Sequence, residues 1–183
     1  MADCATSLTA LALQCGGGLQ QAGITRLYAI AYGDLQNITG TDEPYAYSTN
    51  GLVNNINVQT GKNFVEVGVL KNTSGLVTDT TIDRLTMTGS VKNTFTLVIP
   101  GMNQTNSKWI ESLFNQPLVF IMKIPSGKYF VVGLNGDLMV DSSTGGTGIT
   151  GNEMQGNTVT LSSTESRLTP QVDDSIIADL LGL

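Results

Sequence analysis

The sequence predicts a mainly β protein, a single β-barrel or sandwich of about eight or nine strands with one packed α-helix. Three observations predict it. Alternation with a period of two recurs along the chain: in FVEVGVL, residues 64–70, Val65, Val67 and Val69 share one face while Glu66 and Gly68 take the other. Turn-forming residues punctuate these runs, with 21 glycines and a polar complement drawn largely from Thr, Asn and Ser. Strong helix formers are scarce, since charged residues make up 13% of the chain, about half the usual ~25%. That argues against an all-α fold.

The 183 residues fit one domain of ordinary size, and 40% apolar residues suffice for a core. Residues 1–23, ending in CGGGLQQAG, read as a flexible lead-in. ITRLYAIAY (24–32) is the first strand. The turn-rich connection that follows has room for a short strand at Leu35–Ile38, and LVNNINV (52–58) is a weaker strand before the clear one at 64–70. KNTSGLVTDTTID (71–83) is polar and Thr-rich and reads as a long hairpin arm rather than core. RLTMTGSVKNTFTLVIP (84–100) returns to alternation: Leu85 and Met87 oppose Thr86 and Thr88, while Phe95, Leu97 and Ile99 oppose Thr94 and Thr96.

One internal helix is expected over Thr105–Asn115, capped by Asn106 or Ser107 and stopped by Pro117. Trp109, Ile110, Leu113 and Phe114 recur at helical spacing, and so short a helix needs that face against the sheet. PLVFIMKIPSGKYFVVGLNG (117–136) then gives two strands around Pro125-Ser126-Gly127, with Asn135-Gly136 as a second turn. Leu118–Ile124 is apolar on both faces, the mark of a central strand covered by helix on one side. Tyr129–Leu134 returns beside it and Asp137–Val140 extends the meander. SSTGGTGITGNEMQGN (142–157) is a long loop and NTVTLSS (157–163) another strand. In the C-terminal tail, 168–183, Ile176, Ile177, Leu180 and Leu181 share one helical face behind an extended link, Leu168–Val172, whose Pro170 is barred from an interior strand. The tail is expected to dock on its own barrel or, favoured by the outward reach of that link, in a groove of a neighbouring subunit.

Charge and motifs narrow the function. The net charge of −6 belongs to residues 137–183, where Asp137, Asp141, Glu153, Glu165, Asp173, Asp174 and Asp179 face Arg167 alone; residues 1–136 balance eight acids with eight bases. No basic stripe exists to neutralise phosphates, although an acidic wall past which DNA slides is compatible with these numbers. There is no His, so Cys4 and Cys15 cannot make a usual structural zinc site. They read as reduced thiols, with a disulfide as the alternative. MADCATSLTALALQC has an apolar patch without a preceding Lys or Arg, a poor signal peptide, and no run approaches the ~18 apolar residues of a membrane span.

Gly146-Thr147-Gly148-Ile149-Thr150-Gly151 matches a dinucleotide fingerprint in letters, but a strand rather than a helix follows, so it reads as a loop. Pro125-Ser126-Gly127-Lys128 resembles the end of a phosphate-binding loop, yet Met122 stands where the first glycine belongs. Without His, a nucleophile would depend on Lys or a raised carboxylate. Asp42-Glu43 and Asp173-Asp174 sit in a turn and a tail. No enzyme, cofactor or metal is expected.

The order of three stretches resembles the tail-tube-like structural proteins of tailed bacteriophages, in particular of phages of Bacteroidetes. They are CGGG…GITRLYAIAYGDL, WIESLFNQPLVFIMKIPSGKYFVVGLNGDL and TGGTGITGNEMQGNTVTLSSTESRLTP, together about half the chain. The resemblance implies a β-barrel or sandwich with one helix, stacked in six- or twelve-fold homo-oligomeric rings of a tail tube or head-to-tail connector in the virion. DNA would be passing cargo only, other tail proteins would be neighbours, and no membrane would be involved. It also implies an inter-strand arm touching the next ring, which 71–83 fits. Interface expectations fall on Leu76, Val77, Ile176, Ile177, Leu180 and Leu181. The apolar C-terminus departs from the family pattern. A capsid decoration protein is the nearest alternative; a surface adhesion or carbohydrate-binding module would call for exposed aromatics, and the single Trp sits at a core-facing helical position.

Overall fold

A computed structural model describes residues 23–69, 73–86, 88–147 and 155–182. In chain order its strands begin with β1 (Arg26–Ala31), β2 (Tyr45–Tyr47), β3 (Val53–Ile56) and β4 (Val65–Val67). The hairpin β5 (Gly75–Asp83) and β6 (Thr88–Pro100) leads into helix α1 (Gln104–Leu113). Then come β7 (Leu118–Lys123), β8 (Tyr129–Val132), β9 (Met139–Gly146), β10 (Gly156–Glu165) and β11 (Gln171–Val172), with a short helix α2 (Ile177–Leu181) at the end. They form two sheets: a large one in the order β2-β3-β11-β8-β7-β1-β4 and a small one in the order β5-β6-β10-β9. The fold is a β-sandwich; no barrel closes.

β7 explains why both faces of the central strand are apolar. Leu118, Phe120 and Met122 point into one core, and Val119 and Ile121 into another. The first core lies between the sheets, where Phe95, Leu97, Val159 and Leu161 of the small sheet meet Leu27, Phe120 and Val132 of the large one. Phe95 and Phe120 pack with ring centroids 5.0 Å apart, a favourable tilted pair. Ile110 and Leu113 of α1 complete this core. The second core lies on the far face, where Tyr28, Val119, Val131, Val53 and Ile56 are covered by Ile177 and Leu180. So one face of β7 meets the small sheet and α1, and the other meets the chain's own tail.

Several expectations need correction. The sandwich has eleven strands among the described residues, because β2 and β11 are too short to leave a periodic signal. Residues 75–83 are not an arm apart from the sheet but a nine-residue strand laddered along β6, from Gly75↔Thr96 to Asp83↔Thr88. Leu85 is in the turn, 96% exposed, so the alternation starts only after it; Met87 lies outside the described residues. Leu35 makes a single bridge to Val58 in place of a strand at 35–38. Met139 and Val140 do not extend the meander; they cross to the small sheet, and residues 142–146 and 156–157 of the expected loop 142–157 belong to β9 and β10. The lead-in, with Cys4 and Cys15, lies outside the described residues.

The helix is shorter than expected, and its cap is Asn103, whose side chain accepts from the Asn106 amide at 2.8 Å. Asn106 instead donates to the carbonyls of Pro100 and Gly101, holding the strand end to the helix start. The helix ends before Pro117, at Phe114 and Asn115; Asn115 has φ 60°, a left-handed conformation Asn tolerates better than most residues. Phe114 is therefore turned off the core face and partly exposed.

The tail differs most. Gln171 and Val172 enter the middle of the large sheet, antiparallel to β8 and parallel to β3. Pro170 only accepts, its carbonyl taking the Val131 amide at 3.1 Å, so its missing N–H is never needed. Asp173 N donates to Val53 O at 2.9 Å and Phe64 N to Leu180 O at 3.0 Å. The link does not reach outward; it joins β2–β3 to the rest of the sheet.

Candidate assembly surface

The small sheet offers three features that its sequence dictates: an outer hydroxyl face, two open edges and a projecting hairpin. Along β6 and β10 Phe95, Leu97, Val159 and Leu161 point inward, so period two sends Thr94, Thr96, Thr158, Thr160, Ser162 and Thr164 outward. The register Thr160↔Thr96 and Ser162↔Thr94 sets these hydroxyls side by side. Lys92, opposite Thr164, is the one cation in these rows.

Both edge strands are long, nine residues in β5 and eight in β9. Neither carries Lys or Pro, the usual protections of an edge. The acids Asp79, Asp83 and Asp141 are their only charges, and Asp141 occupies an irregularity in the β9–β10 register. Among the described residues nothing pairs with the outer side of either strand.

β10 reaches along β6 only to the Glu165↔Val91 pair. Beyond it, residues 81–83 and 88–90 form a two-stranded ribbon with a turn at 84–86. Asp83 fastens the turn, its carboxylate accepting from Leu85 N at 2.8 Å, and those backbone bonds lower its pKa. Ile82 and Leu85 stand exposed at the tip.

The expected interface residues divide. Val77 is exposed on β5, whereas Leu76 is half-buried against the core between the sheets. Ile177 and Leu180 are buried in the second core, with Ile176 and Leu181 packed beside them. The tail thus docks on its own sheet, because Val172 has already brought the chain into it.

At the Glu165 end of β10 the between-sheet core becomes polar, a feature the sequence reading missed. Glu165 is 7% exposed, and its carboxylate accepts from Gly133 N at 3.0 Å and lies 3.4 Å from Ser163 Oγ. Burial raises its pKa, Asp137 adds to this, and the hydrogen bonds from Gly133 and Ser163 oppose it. Fully buried Asn93 accepts from Thr78 at 2.9 Å and Thr169 at 3.2 Å, while its Nδ2 lacks a hydrogen-bond partner of normal geometry. Asp137 accepts from Thr164 N at 2.7 Å with one oxygen and leaves the other buried and unpaired. The signal was the period itself: Val159, Leu161, Ser163, Glu165 and Val91, Asn93, Phe95 are runs of inward positions.

A polar cleft of about 240 Å³ adjoins this seam, lined by Glu43, Tyr45, Tyr47, Asn135 and Arg167 as well as Glu165. The Arg167 guanidinium lies over the Tyr47 ring at 5.2 Å and supplies the cleft's own cation. Burial and then Glu43 push the Tyr45 hydroxyl up to about 12.

The Pro125–Lys128 motif is a turn as expected, whereas Gly146 of the glycine-rich motif belongs to a strand. Pro125–Lys128 is the β7–β8 turn, with Gly127 N donating to Ile124 O at 2.9 Å and Lys123 Nζ over the Tyr129 ring at 4.9 Å. Gly146 ends β9 and Gly156 opens β10, a strand; residues 148–151 lie outside the described residues. The acids of the C-terminal quarter are divided rather than gathered into one wall. Glu165 and Asp137 meet between the sheets, Asp141 is on an edge, and Asp173 and Asp174 begin the tail turn on the far face. Among the described residues no group of three or more potential ligands could hold a metal, and no helix is long and apolar enough to cross a membrane. No family model, curated protein or solved structure matches the chain.

Proposed function

We propose that this chain is a non-enzymatic structural subunit that joins copies of itself into rings through the edges of its small sheet, within a bacteriophage virion. The observation that carries the reading is the pair of long edges without Lys or Pro, β5 and β9. An exposed edge is a template for another chain. The parity also suits closure. All neighbours in this four-stranded sheet are antiparallel, so β5 and β9 run in opposite directions. Subunits related by rotation about one axis would therefore meet β5 to β9 in an antiparallel pair, and such a head-to-tail contact makes a ring when the rotation closes.

In such a ring the small sheets form the inner wall, since the bulkier large sheet packs on one side only. The hydroxyl face then lines the channel. Threonines and serines bind no phosphate by charge, so DNA would pass without the counterion-release attraction that a basic wall would impose. The ribbon tip, with Ile82 and Leu85, would touch the next ring. The sequence resemblance to tail-tube-like proteins points the same way, toward a tube or a head-to-tail connector of six- or twelve-fold symmetry.

Electron microscopy of the purified full chain tests this. Rings or stacked tubes are expected. Compact trimers would favour a capsid decoration protein instead, and monomers at every concentration would remove the assembly reading.

A further inference from the structure

Beneath β5 the two sheets part into an open cleft of about 630 Å³. Its floor is Ile24, Leu76, Met122 and Phe130, and Thr78 and Thr169 stand at its rim. Leu76 and Phe130 pack on the between-sheet core yet are only half-buried, so the core is incomplete at this point. The size suits a small ligand, ~300–1,000 Å³, but among the described residues none that lines it is charged or carries a side-chain amide to orient one. An aliphatic segment with its own backbone polar groups is the better match, because the rim hydroxyls can both donate and accept.

Gly23, the first described residue, is part of the cleft wall. Upstream of it the sequence carries Leu8-Thr9-Ala10-Leu11-Ala12-Leu13, an apolar run without a charge. We propose that the segment Leu8–Leu13 of this chain occupies the cleft beneath β5, with Leu11 and Leu13 on its floor. In an extended segment those two side chains share a face, and Ala10 and Ala12 take the other. The nine residues from Gln14 to Ala22 span at most about 30 Å, enough to leave the wall and return, and Gly16-Gly17-Gly18 suits a reversal. The tether favours the chain's own segment over a second copy's, since short linkers give effective concentrations in the mM range. The docking uses the inner side of β5 and leaves its outer edge open, so it stands or falls separately from ring formation.

Hydrogen exchange on the full chain and on the Leu11→Asp/Leu13→Asp variant tests the proposal. The buried core of the described residues contains neither position, so the variant should keep its cooperative melt. Expected is exchange about 10-fold faster or more over 74–78 and 129–130 in the variant, with α1 and β10 unchanged. A synthetic peptide of residues 7–14 should restore the slow rates. Identical exchange in the two proteins overturns the proposal. So does protection in the parent that vanishes on dilution as a dimer dissociates, because the occupant would then be a second copy.

Discussion

Glu165 shows how a single residue can be placed by pattern and still carry a free-energy penalty. Its position is the last inward step of a run whose earlier steps are Val159 and Leu161, so the strand period buries it. A carboxylate there is tolerated because Gly133 N and Ser163 Oγ reach it. Gly133 can approach because it lacks a side chain: a Cβ would sit 2.3 Å from Leu118 O, and its φ is +89°. Burial nevertheless raises the pKa of Glu165 above the usual carboxylate value. The folded state therefore prefers the protonated acid, and the stability it contributes is full below the unfolded pKa and lost as pH rises through the folded one. Asp83 and Asp173 have lowered pKa values and act with the opposite sign at more acidic pH. A difference measurement removes them. Glu165→Gln keeps an acceptor for Gly133 and cannot ionise, so its melting temperature relative to the parent should climb through the window above about pH 4. A flat difference across that window would mean that Glu165 is not desolvated.

At the scale of elements, α1 and the tail separate what sequence can specify from what it cannot. The helix was legible from its spacing, and two of its four expected core residues, Ile110 and Leu113, are buried. Trp109 is only half-buried and Phe114 lies past the last turn. Leu113→Ala should therefore cost about 2–5 kcal/mol, and Trp109→Ala less, about 1–3 kcal/mol, in urea titrations. The reverse order would mean that the indole, not the leucine, anchors the helix. The tail was legible as an amphipathic helix but not as a strand. Two residues cannot carry a period, and Pro170 argued against one; only the parallel β3 and antiparallel β8 neighbours make Gln171–Val172 a strand. The polar composition of 71–83 likewise concealed β5, since an edge strand needs no apolar alternation when one face meets solvent. Truncation after Gln171 removes Val172, Ile177 and Leu180, all buried. At about 1.5–3 kcal/mol for each buried side chain, that loss rivals the ~5–15 kcal/mol of a whole domain. The truncated chain should show no cooperative melt. A folded, merely monomeric product would mean that the tail belongs to a neighbour after all.

For the whole molecule the question is whether the edges of the small sheet are joined in solution, and backbone chemistry gives a direct way to ask. Alternate residues of an edge strand point their N–H toward the neighbouring strand and toward solvent. Ser143 and Thr144 are consecutive in β9, opposite Val159 and Thr158, and lie clear of the irregularity at Asp141. Of Ser143→Pro and Thr144→Pro, one removes a donor to β10 and should lower the melting temperature. The other removes only an outward donor and is expected to be tolerated, as proline is on edges. If rings form by β5–β9 pairing, the tolerated variant keeps the parent's melt and loses its assembly, because the joint depends on that outward N–H and on a flat edge. The same substitution also tells edge pairing from tip contacts. Assembly through Ile82 and Leu85 alone would survive it, and Leu85→Ser would then abolish stacking without disturbing the fold, as expected for a side chain that is 96% exposed. Normal rings from the stable proline variant would sink the edge model, whatever the tip does.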